Sequence, residues 1–585
     1  MEKEEYEAQI KALKEEIELL KKKQTYEIKR QKYGLNWIDV PEAFEKDSEN
    51  KIPILEEVKE KSIKNDDGKP THILIEGDNY HALQCLNYTH KGKIDVIYID
   101  PPYNLGKDFI YRDARFLDKY PDGTIISKDH PLRHSAWLSF MQKRLSLAKN
   151  LLSNKGVLFI SIDDTEFAQL KLLCDEIFSS SLFLGSITWE SKTKSQNTKS
   201  AFDKLQPKTE HILVYSKINH FNLYKKGEKE YPETDEKGPY RIYKIEVMNS
   251  SGVRGRNTMI FPILGINPPE NKQWKWGIDT IEKYSKRNDL ILIDNYPSLK
   301  IRPDDEKNDI TEPFWGFIPK EIGTAETGKK ELNSILYPKD PGFETVKPKE
   351  LIEKLLYHAS TEKSIILDFF AGSGTTLQAT LVANNNYNGN RQCILIQNKE
   401  KTFEVKDGIE IAKEGYETTY SSGYKYISDI TYERNRRVMQ GYTNSKGEQI
   451  PGLGNSLKYY KTAFIGQNNC KNANDDDRTE LAKKAGCLLS LGENTLDEIC
   501  STEYYQLFTG SKEATAVYFT DDYEKFDEFK EKVAELAPKF KKTFVYIFAW
   551  SSADDFAYEF EDIPNIQIKA IPLPILEIYK SIYNA

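Results

Sequence analysis

The stretch Ile94-Asp-Val-Ile-Tyr-Ile-Asp-Pro-Pro-Tyr-Asn104 decides the fold class of this 585-residue chain. It begins with a short, mostly apolar run of the kind that is buried in a parallel sheet. Asp100, Pro101, Pro102 and Tyr103 follow at the carboxyl end of this predicted strand, which is the edge where open α/β sheets bind ligands. Because the two prolines remove backbone donors, the loop presents carbonyl oxygens. We therefore predict a functional site here.

Similar apolar runs flank this segment and alternate with helical patterns. Residues 72–75 and 156–162 read as strands, and residues 137–152 between them read as a helix. Another strand pattern resumes at 364–369. This alternation is typical of an α/β fold with a parallel sheet that is covered on both faces.

A glycine-rich segment, Asp368-Phe-Phe-Ala-Gly-Ser-Gly-Thr-Thr376, follows the last of these predicted strands. Gly372 and Gly374 would let the backbone approach a nucleoside closely, and Thr375 can cap a following helix. By itself, a Gly-x-Gly turn is as consistent with an ordinary tight turn as with a cofactor-binding loop. Paired with the Asp-Pro-Pro-Tyr loop, it predicts a nucleoside-type cofactor site.

Composition excludes several classes of protein. With 39% hydrophobic and 30% charged residues, and without an apolar run of about 18 to 20 residues, the chain is predicted to be soluble rather than membrane-spanning. Its charged N-terminus lacks the apolar region of a secretory signal, so we expect a cytoplasmic protein. The six cysteines form no C-x-x-C pair, which favours reduced thiols, and no metal site is predicted.

The pattern also predicts domain boundaries. Apolar residues at heptad spacing near the N-terminus are consistent with a dimerising coiled coil or with an amphipathic helix that packs on its own domain. Residues 181–260 contain 14 lysines and arginines but 9 aspartates and glutamates. This part is therefore basic, although the whole chain carries a net charge of −8. The predicted regions are an N-terminal helix (1–33), the first part of the α/β domain (34–184), an inserted domain (185–340), the second part of the α/β domain (341–441) and a small C-terminal α/β domain (442–585).

The two motifs together resemble the DNA amino-methyltransferases. Their order, with Asp-Pro-Pro-Tyr before the glycine loop and a long insert between, resembles the β group, a circular permutation of the S-adenosylmethionine-dependent Rossmann-like fold. Four further segments resemble the modification (Mod) subunits of type III restriction-modification systems, namely 75–83, 87–93, 134–140 and 431–437. The resemblance runs from about residue 30 to the C-terminus. It implies transfer of a methyl group from S-adenosyl-L-methionine to N6 of adenine in DNA.

Roles for individual residues follow from this resemblance. Asp100 and the carbonyl of Pro101 would accept the hydrogens of the adenine amine, and Tyr103 would stack on the flipped base, with Pro102 completing the catalytic tetrapeptide. Asp at position 100 favours adenine, since Ser is the commoner form in cytosine enzymes. The residues expected to bind the cofactor are Asp78, Lys347, Asp368, Phe370, Gly372, Gly374 and Glu400.

The resemblance also implies partners. The insert would be the target-recognition domain, and its predicted DNA contacts are Lys192, Lys194, Asn197, Lys199, Arg254 and Arg256. Double-stranded DNA, a second copy of the chain and an ATP-dependent restriction subunit are the expected partners. The sequence itself contains no P-loop motif for ATP hydrolysis.

Three alternatives remain open from the sequence. The chain could be a stand-alone adenine methyltransferase, a cytosine-N4 or RNA methyltransferase, or a catalytically silent DNA-recognition subunit. Retention of Asp100, Tyr103 and the complete glycine loop favours an enzyme over the silent subunit.

Overall fold

The computed structural model describes residue 37 and residues 51–104, 131–194, 202, 205–218, 227–228, 231–251, 255–306, 311–312, 314–550 and 552–583. The predicted N-terminal helix at 1–33 therefore lies outside the described residues. The chain divides into two compact units, of which one is Lys225–Trp315 and the other combines Met1–Tyr224 with Gly316–Ala585.

A ten-stranded sheet organises the larger unit. Its strands lie in the spatial order Ile52–Glu57, Ser456–Ile465, Thr71–Glu76, Gln392–Gln397, Ile365–Asp368, Ile94–Ile99, Leu152–Ile162, Glu210–Ser216, Phe183–Trp189 and Phe317–Ile318. The six neighbours from Ser456–Ile465 to Leu152–Ile162 run parallel. The next strand, Glu210–Ser216, is antiparallel to both of its neighbours. The sheet is thus mixed at its edges and parallel at its centre.

The strands that carry the two motifs are direct neighbours in this sheet. Ile366 pairs with Val96 and Leu367 pairs with Ile97, although these residues are far apart in the chain. The prediction of a circularly permuted Rossmann-like α/β fold is confirmed by this strand order. The Asp-Pro-Pro-Tyr loop and the glycine loop consequently leave the sheet side by side.

Helices cover both faces of the sheet. Ile97 and Ile99 are fully buried, and so are Val96 and Tyr98, whose side chains point to the opposite face. On one face the helix Pro131–Leu151 packs against its neighbours Asn79–Thr89 and Phe167–Phe178. The other helices of this unit are Ala325–Leu336, Lys349–Ala359, Thr375–Asn386, Glu417–Ser421, Ile427–Gln440, Asp475–Lys484, Gly486–Gly492, Phe526–Leu536 and Leu573–Tyr583.

Two short hairpins complete this part of the chain. One pairs Phe403–Lys406 with Ile409–Ala412, and the other pairs Gly441–Thr443 with Gln449–Pro451. Within the described residues, no helix is both long enough and apolar enough to cross a membrane.

The second unit has its own small core. Its four-stranded sheet has the order Leu290–Ile293, Tyr296–Ile301, Gly238–Lys244 and Glu233–Asp235. Val247–Asn249 pairs with Lys272–Trp274, Gly227–Glu228 pairs with Thr311–Glu312, and the helix is Ile278–Lys286. Buried apolar side chains from these elements, including Trp274 and Leu299, form the core.

This unit is shorter than the inserted domain predicted at 185–340. Phe183–Trp189 and Glu210–Ser216 belong to the large sheet instead, where they pair with each other. Most side chains of Phe183–Trp189 are only half-buried, so this strand lacks the continuous apolar run by which a buried strand is predicted from sequence. The compact unit therefore begins about 40 residues later in the chain than the predicted insert.

The C-terminal region likewise differs from the prediction of a separate domain at 442–585. It does contain a five-stranded sheet, in the order Asp497–Ser501, Tyr505–Thr509, Glu513–Tyr518, Lys542–Ala549 and Ile566–Pro572. However, the strand Ser456–Ile465 belongs to the large sheet. One hydrophobic core joins Leu86 of the main sheet layer to Val517 and Ile575. This shared core makes the region part of the larger unit.

Candidate active site

The Asp-Pro-Pro-Tyr loop carries a compact cluster of polar side chains at the end of the strand Ile94–Ile99. The Tyr103 hydroxyl donates to Asp100 Oδ1 at 2.8 Å. Lys347 Nζ lies 3.0 Å from the same carboxylate oxygen and donates to the Tyr103 hydroxyl at 2.9 Å. Tyr103 is 8% exposed, so its ring and hydroxyl are held inside the site.

Glu210 belongs to the same cluster, although no sequence motif marks it. Its Oε2 lies 3.1 Å from Lys347 Nζ and 3.2 Å from the Tyr103 hydroxyl. Burial alone would raise the pKa of Glu210, but the Lys347 ammonium holds that pKa below its ordinary value. The antiparallel pairing of Glu210–Ser216 beside Leu152–Ile162 brings Glu210 here, and a pairing of this kind leaves no local signal in the sequence.

Lys347 contacts the Asp-Pro-Pro-Tyr loop in this structure. Burial would lower the pKa of Lys347, but the carboxylates of Asp100 and Glu210 raise it above its ordinary value, so the side chain stays a cation. From the sequence we expect Lys347 to border the cofactor. That role stays a prediction, because the contacts present here are with Asp100, Tyr103 and Glu210.

Side chains from two helical segments hold the loop backbone. Trp137 Nε1 donates to the Pro102 carbonyl at 2.6 Å. Asn104 has a positive φ of 62°, and its Nδ2 donates to Glu166 Oε1 at 2.6 Å. His134 Nδ1 lies 2.7 Å from that same oxygen. These contacts hold the loop on both sides of Tyr103.

The glycine loop leaves the neighbouring strand Ile365–Asp368. The Gly372 amide donates to Gln397 Oε1 at 2.7 Å, and Gly374, with φ of 81°, caps the helix Thr375–Asn386. Asp368 accepts hydrogen bonds from the Phe370 amide and the Thr376 hydroxyl. Burial raises the pKa of Asp368 to about 7 in spite of these donors. Asp368 thus closes the loop from inside and does not face solvent.

The helix Ile427–Gln440 supports this loop from behind. Arg434 is fully buried, and its Nη1 donates to the hydroxyls of Ser373 and Thr375 at 2.7 and 2.6 Å. Burial lowers the pKa of Arg434 to about 10. The Thr431 hydroxyl donates to the Gly372 carbonyl at 2.6 Å. The mostly polar sequence of this helix gives no sign that Arg434 is buried.

Asp78 lies on the other side of the glycine loop. It caps the helix Asn79–Thr89 by accepting from the Tyr80 amide at 2.7 Å, and Arg144 Nη2 donates to it at 3.2 Å. Asn79 Nδ2 donates to the Phe369 carbonyl at 2.9 Å. The cap therefore ties the Asp78 segment directly to the segment that carries Phe370.

Glu400 lies three residues beyond the strand Gln392–Gln397. The Tyr416 hydroxyl donates to it at 2.6 Å, and Lys413 Nζ lies 3.4 Å away. Its predicted role at the ribose stays a prediction. Gln397 is the last residue of that strand, and its side-chain oxygen accepts a hydrogen bond from the Gly372 amide of the glycine loop.

The predicted DNA contacts are spread over both units. Lys192 and Lys194 follow the strand Phe183–Trp189 in the larger unit, whereas Arg256 is an exposed residue of the second unit. Asn197, Lys199 and Arg254 lie outside the described residues. These contacts stay predictions.

The chain is similar to known proteins over most of its length. Residues 94–420 match the DNA methylase family of N6 and N4 methyltransferases. The type III restriction-modification enzyme EcoPI Mod subunit of Escherichia phage P1 is 30% identical over 475 residues, which cover 72% of this chain and 70% of that protein. The type II methyltransferase M.KpnI of Klebsiella pneumoniae is 30% identical over 408 residues, which cover 64% of this chain and 89% of that protein.

For a further relative, the match covers less than two thirds of that relative's length. The StyLTI Mod subunit of Salmonella typhimurium is 30% identical over 432 residues, which cover 68% of this chain but 61% of that protein. Among solved structures, the cytosine-N4-specific PvuII DNA methyltransferase gives a TM-score of 0.31 at 11% identity, over 64% of this chain and 96% of that chain. At this score the likeness does not extend to a comparison of the two sites.

Proposed function

The chain belongs to the DNA methylase family, and on this basis we propose that it transfers a methyl group from S-adenosyl-L-methionine to N6 of adenine in double-stranded DNA. The observation that carries the proposal is the position of Asp100. Its carboxylate stands at the end of the strand next to the one that carries the glycine loop, so a base and a methyl donor bound at these loops would meet.

Asp100 has the chemistry that an exocyclic amine needs. The amine of adenine is a poor nucleophile because its lone pair is delocalised into the ring. Acceptance of its hydrogens by the Asp100 carboxylate and the Pro101 carbonyl draws the nitrogen toward tetrahedral geometry and frees the lone pair. The rest of the catalysis is positioning, since the methyl group passes by direct displacement.

The residues around the glycine loop fit the proposed cofactor. The backbone at Gly372 carries no side chain that would keep a nucleoside away, Gly374 lets the loop pack closely on the helix behind it, and Asp78 offers a carboxylate at the neighbouring helix start. S-adenosyl-L-methionine supplies an electrophilic methyl group on sulfur. We assign its binding to Asp78, Phe370, Gly372 and Gly374, with Asp368 shaping the loop from inside.

Adenine must leave the duplex to reach Asp100, because the base stack shields the amine. Flipping requires a few kcal/mol of unstacking, which stacking on Tyr103 and hydrogen bonds in the site offset. We further propose that the chain is the modification subunit of a type III restriction-modification system and acts as a dimer beside a restriction subunit. The family match and the Mod relatives support this assignment.

The first experiment is modified-base mapping of plasmid DNA from cells that express the chain. N6-methyladenine at one short sequence is the expected result, and Asp100→Asn should abolish it because a neutral amide accepts a hydrogen bond more weakly than a carboxylate and places a donor NH2 group beside the amine. Asp164→Asn is the matched control, since Asp164 follows the adjacent strand but is 76% exposed and pairs with His211. N4-methylcytosine instead would reassign the base, and a mark that survives Asp100→Asn would refute the role of Asp100.

A further inference from the structure

Lys347 and Glu210 form a charged pair that directly contacts the proposed catalytic carboxylate. The Lys347 ammonium lies 3.0 Å from Asp100 Oδ1 and 3.1 Å from Glu210 Oε2. The side chains of Lys347 and Glu210 are only 11% and 13% exposed. Both therefore interact with Asp100 in surroundings where water screens charge weakly.

Lys347 occupies one of the two carboxylate oxygens of Asp100 that could accept from the adenine amine. In the proposed reaction the amine donates one hydrogen to Asp100 and the other to the Pro101 carbonyl, and here the ammonium already contacts Oδ1 of the Asp100 carboxylate. An amine that binds at Oδ1 requires the ammonium to release or share this oxygen, and an amine that binds at the second carboxylate oxygen lies close to the same ammonium. Glu210 is the second anion within reach of the ammonium, so Lys347 can shift toward it without losing its partner.

The charge balance of the cluster also bears on the reaction. As the new bond to carbon forms, the amine nitrogen becomes positively charged until it loses a proton. Asp100, Glu210 and Lys347 together carry a net charge of −1, which favours that developing positive charge. Without the Glu210 carboxylate the net charge would be zero, and the ammonium would hold Asp100 and repel the nitrogen.

We propose that Glu210 is a positioning residue for methyl transfer, which retains the Lys347 ammonium when the amine binds Asp100 and keeps the site negatively charged. This inference rests on the proposed function. A merely structural reading is that Glu210 ties its strand to Lys347 and no more. The two readings differ in what happens when Lys347 is removed together with Glu210.

The test compares Glu210→Gln with the double variant Glu210→Gln/Lys347→Met. Single-turnover transfer of a labelled methyl group from S-adenosyl-L-methionine to unmethylated plasmid DNA is measured beside the dissociation constants of the cofactor and the DNA. We expect Glu210→Gln to slow transfer by about 10- to 100-fold, as for loss of one electrostatic contact in an active site, with both dissociation constants changed less than about threefold.

The double variant should transfer at least about fivefold faster than Glu210→Gln, because no unbalanced ammonium then competes for Asp100. Glu210→Asp keeps the negative charge and should also exceed Glu210→Gln, which provides the comparison if the amide variant folds poorly. Glu190→Gln is the matched control, since Glu190 pairs with Lys208 at 2.6 Å outside the cluster and should leave the rate unchanged.

Three results would overturn the inference. One is a wild-type rate for Glu210→Gln, another is a double variant no faster than the single one, and the third is Glu210→Asp no faster than Glu210→Gln. Failure of the proposed function is recognised separately, because the wild-type chain itself would then leave no N6-methyladenine on DNA, and this inference would fall with it.

Discussion

Gly374→Ala places a methyl group where the glycine loop has no room for one. A Cβ at this position would lie 2.3 Å from Asn435 Nδ2 and 3.1 Å from Thr431 Cγ2. The backbone there also has a φ of +81°, in the left-handed region that L-residues with a Cβ disfavour. The substitution therefore introduces two separate penalties, one of backbone strain and one of steric overlap.

The magnitude follows from the contacts that must break. A left-handed φ costs about 1–2 kcal/mol for a residue with a Cβ. Asn435 must move away, which breaks its hydrogen bonds to the Gly374 carbonyl at 3.2 Å and to the Thr431 carbonyl at 2.9 Å. At about 1 kcal/mol for each bond, the free energy of unfolding should fall by about 3–4 kcal/mol in total.

Gly415→Ala isolates the backbone part of this penalty. Gly415 has nearly the same φ, +86°, but no atom lies within 4 Å of the position that a Cβ would take there. This variant should lose only about 1–2 kcal/mol. Denaturant unfolding of both variants measures the difference, and calorimetry should show cofactor affinity at least about 10-fold lower for Gly374→Ala only. Equal losses of stability with unchanged affinity would refute the reasoning.

Three further predictions concern buried polar groups. Asp368→Asn should abolish a loss of stability that the wild type shows as the pH rises from about 4 to 7. In this range the native Asp368 carboxyl, with a pKa of about 7, still binds a proton that the unfolded chain, with an ordinary value of 3.8, has released. The wild-type free energy of unfolding should therefore fall by up to about 4 kcal/mol, as measured by denaturant unfolding. Arg434→Met should lower the free energy of unfolding by about 2–3 kcal/mol, because the glycine-loop hydroxyls lose their buried donor. Trp137→Phe should slow methyl transfer in single-turnover assays without changing cofactor affinity, because the Pro102 carbonyl loses its donor.

Each of these has a control and a contrary outcome. Unfolding curves of Asp368→Asn that keep the wild-type dependence on pH would show that another group titrates. Arg436→Met is the control for Arg434, since Arg436 pairs with Glu433 on the outside of the same helix and should change stability by less than about 1 kcal/mol. Equal losses in both would argue against the buried network. Trp550→Phe, at a 45% exposed site, is the control for Trp137→Phe. A wild-type rate of methyl transfer for Trp137→Phe would show that the hydrogen bond to the Pro102 carbonyl does not contribute to catalysis.

The sequence by itself determined the central sheet and the order of the two motifs. The strand Ile94–Ile99 is predicted at the bounds that the structure has. Strands buried on both faces are apolar at nearly every position, so their signal is local and nearly continuous. The same local signal placed Asp100 and the glycine loop at strand ends.

Only the tertiary structure decided which side chains surround these motifs. Glu210 reaches Asp100 through an antiparallel pairing, and Arg434 turns inward from a helix that reads as polar. The edge strand Phe183–Trp189 is half-buried, and its sequence pattern does not separate it from the insert. Contacts of this kind depend on which elements become neighbours in space. The free energy of such packing is shared among residues that are distant in the chain. No short stretch of sequence therefore indicates which side chains contact the two motifs.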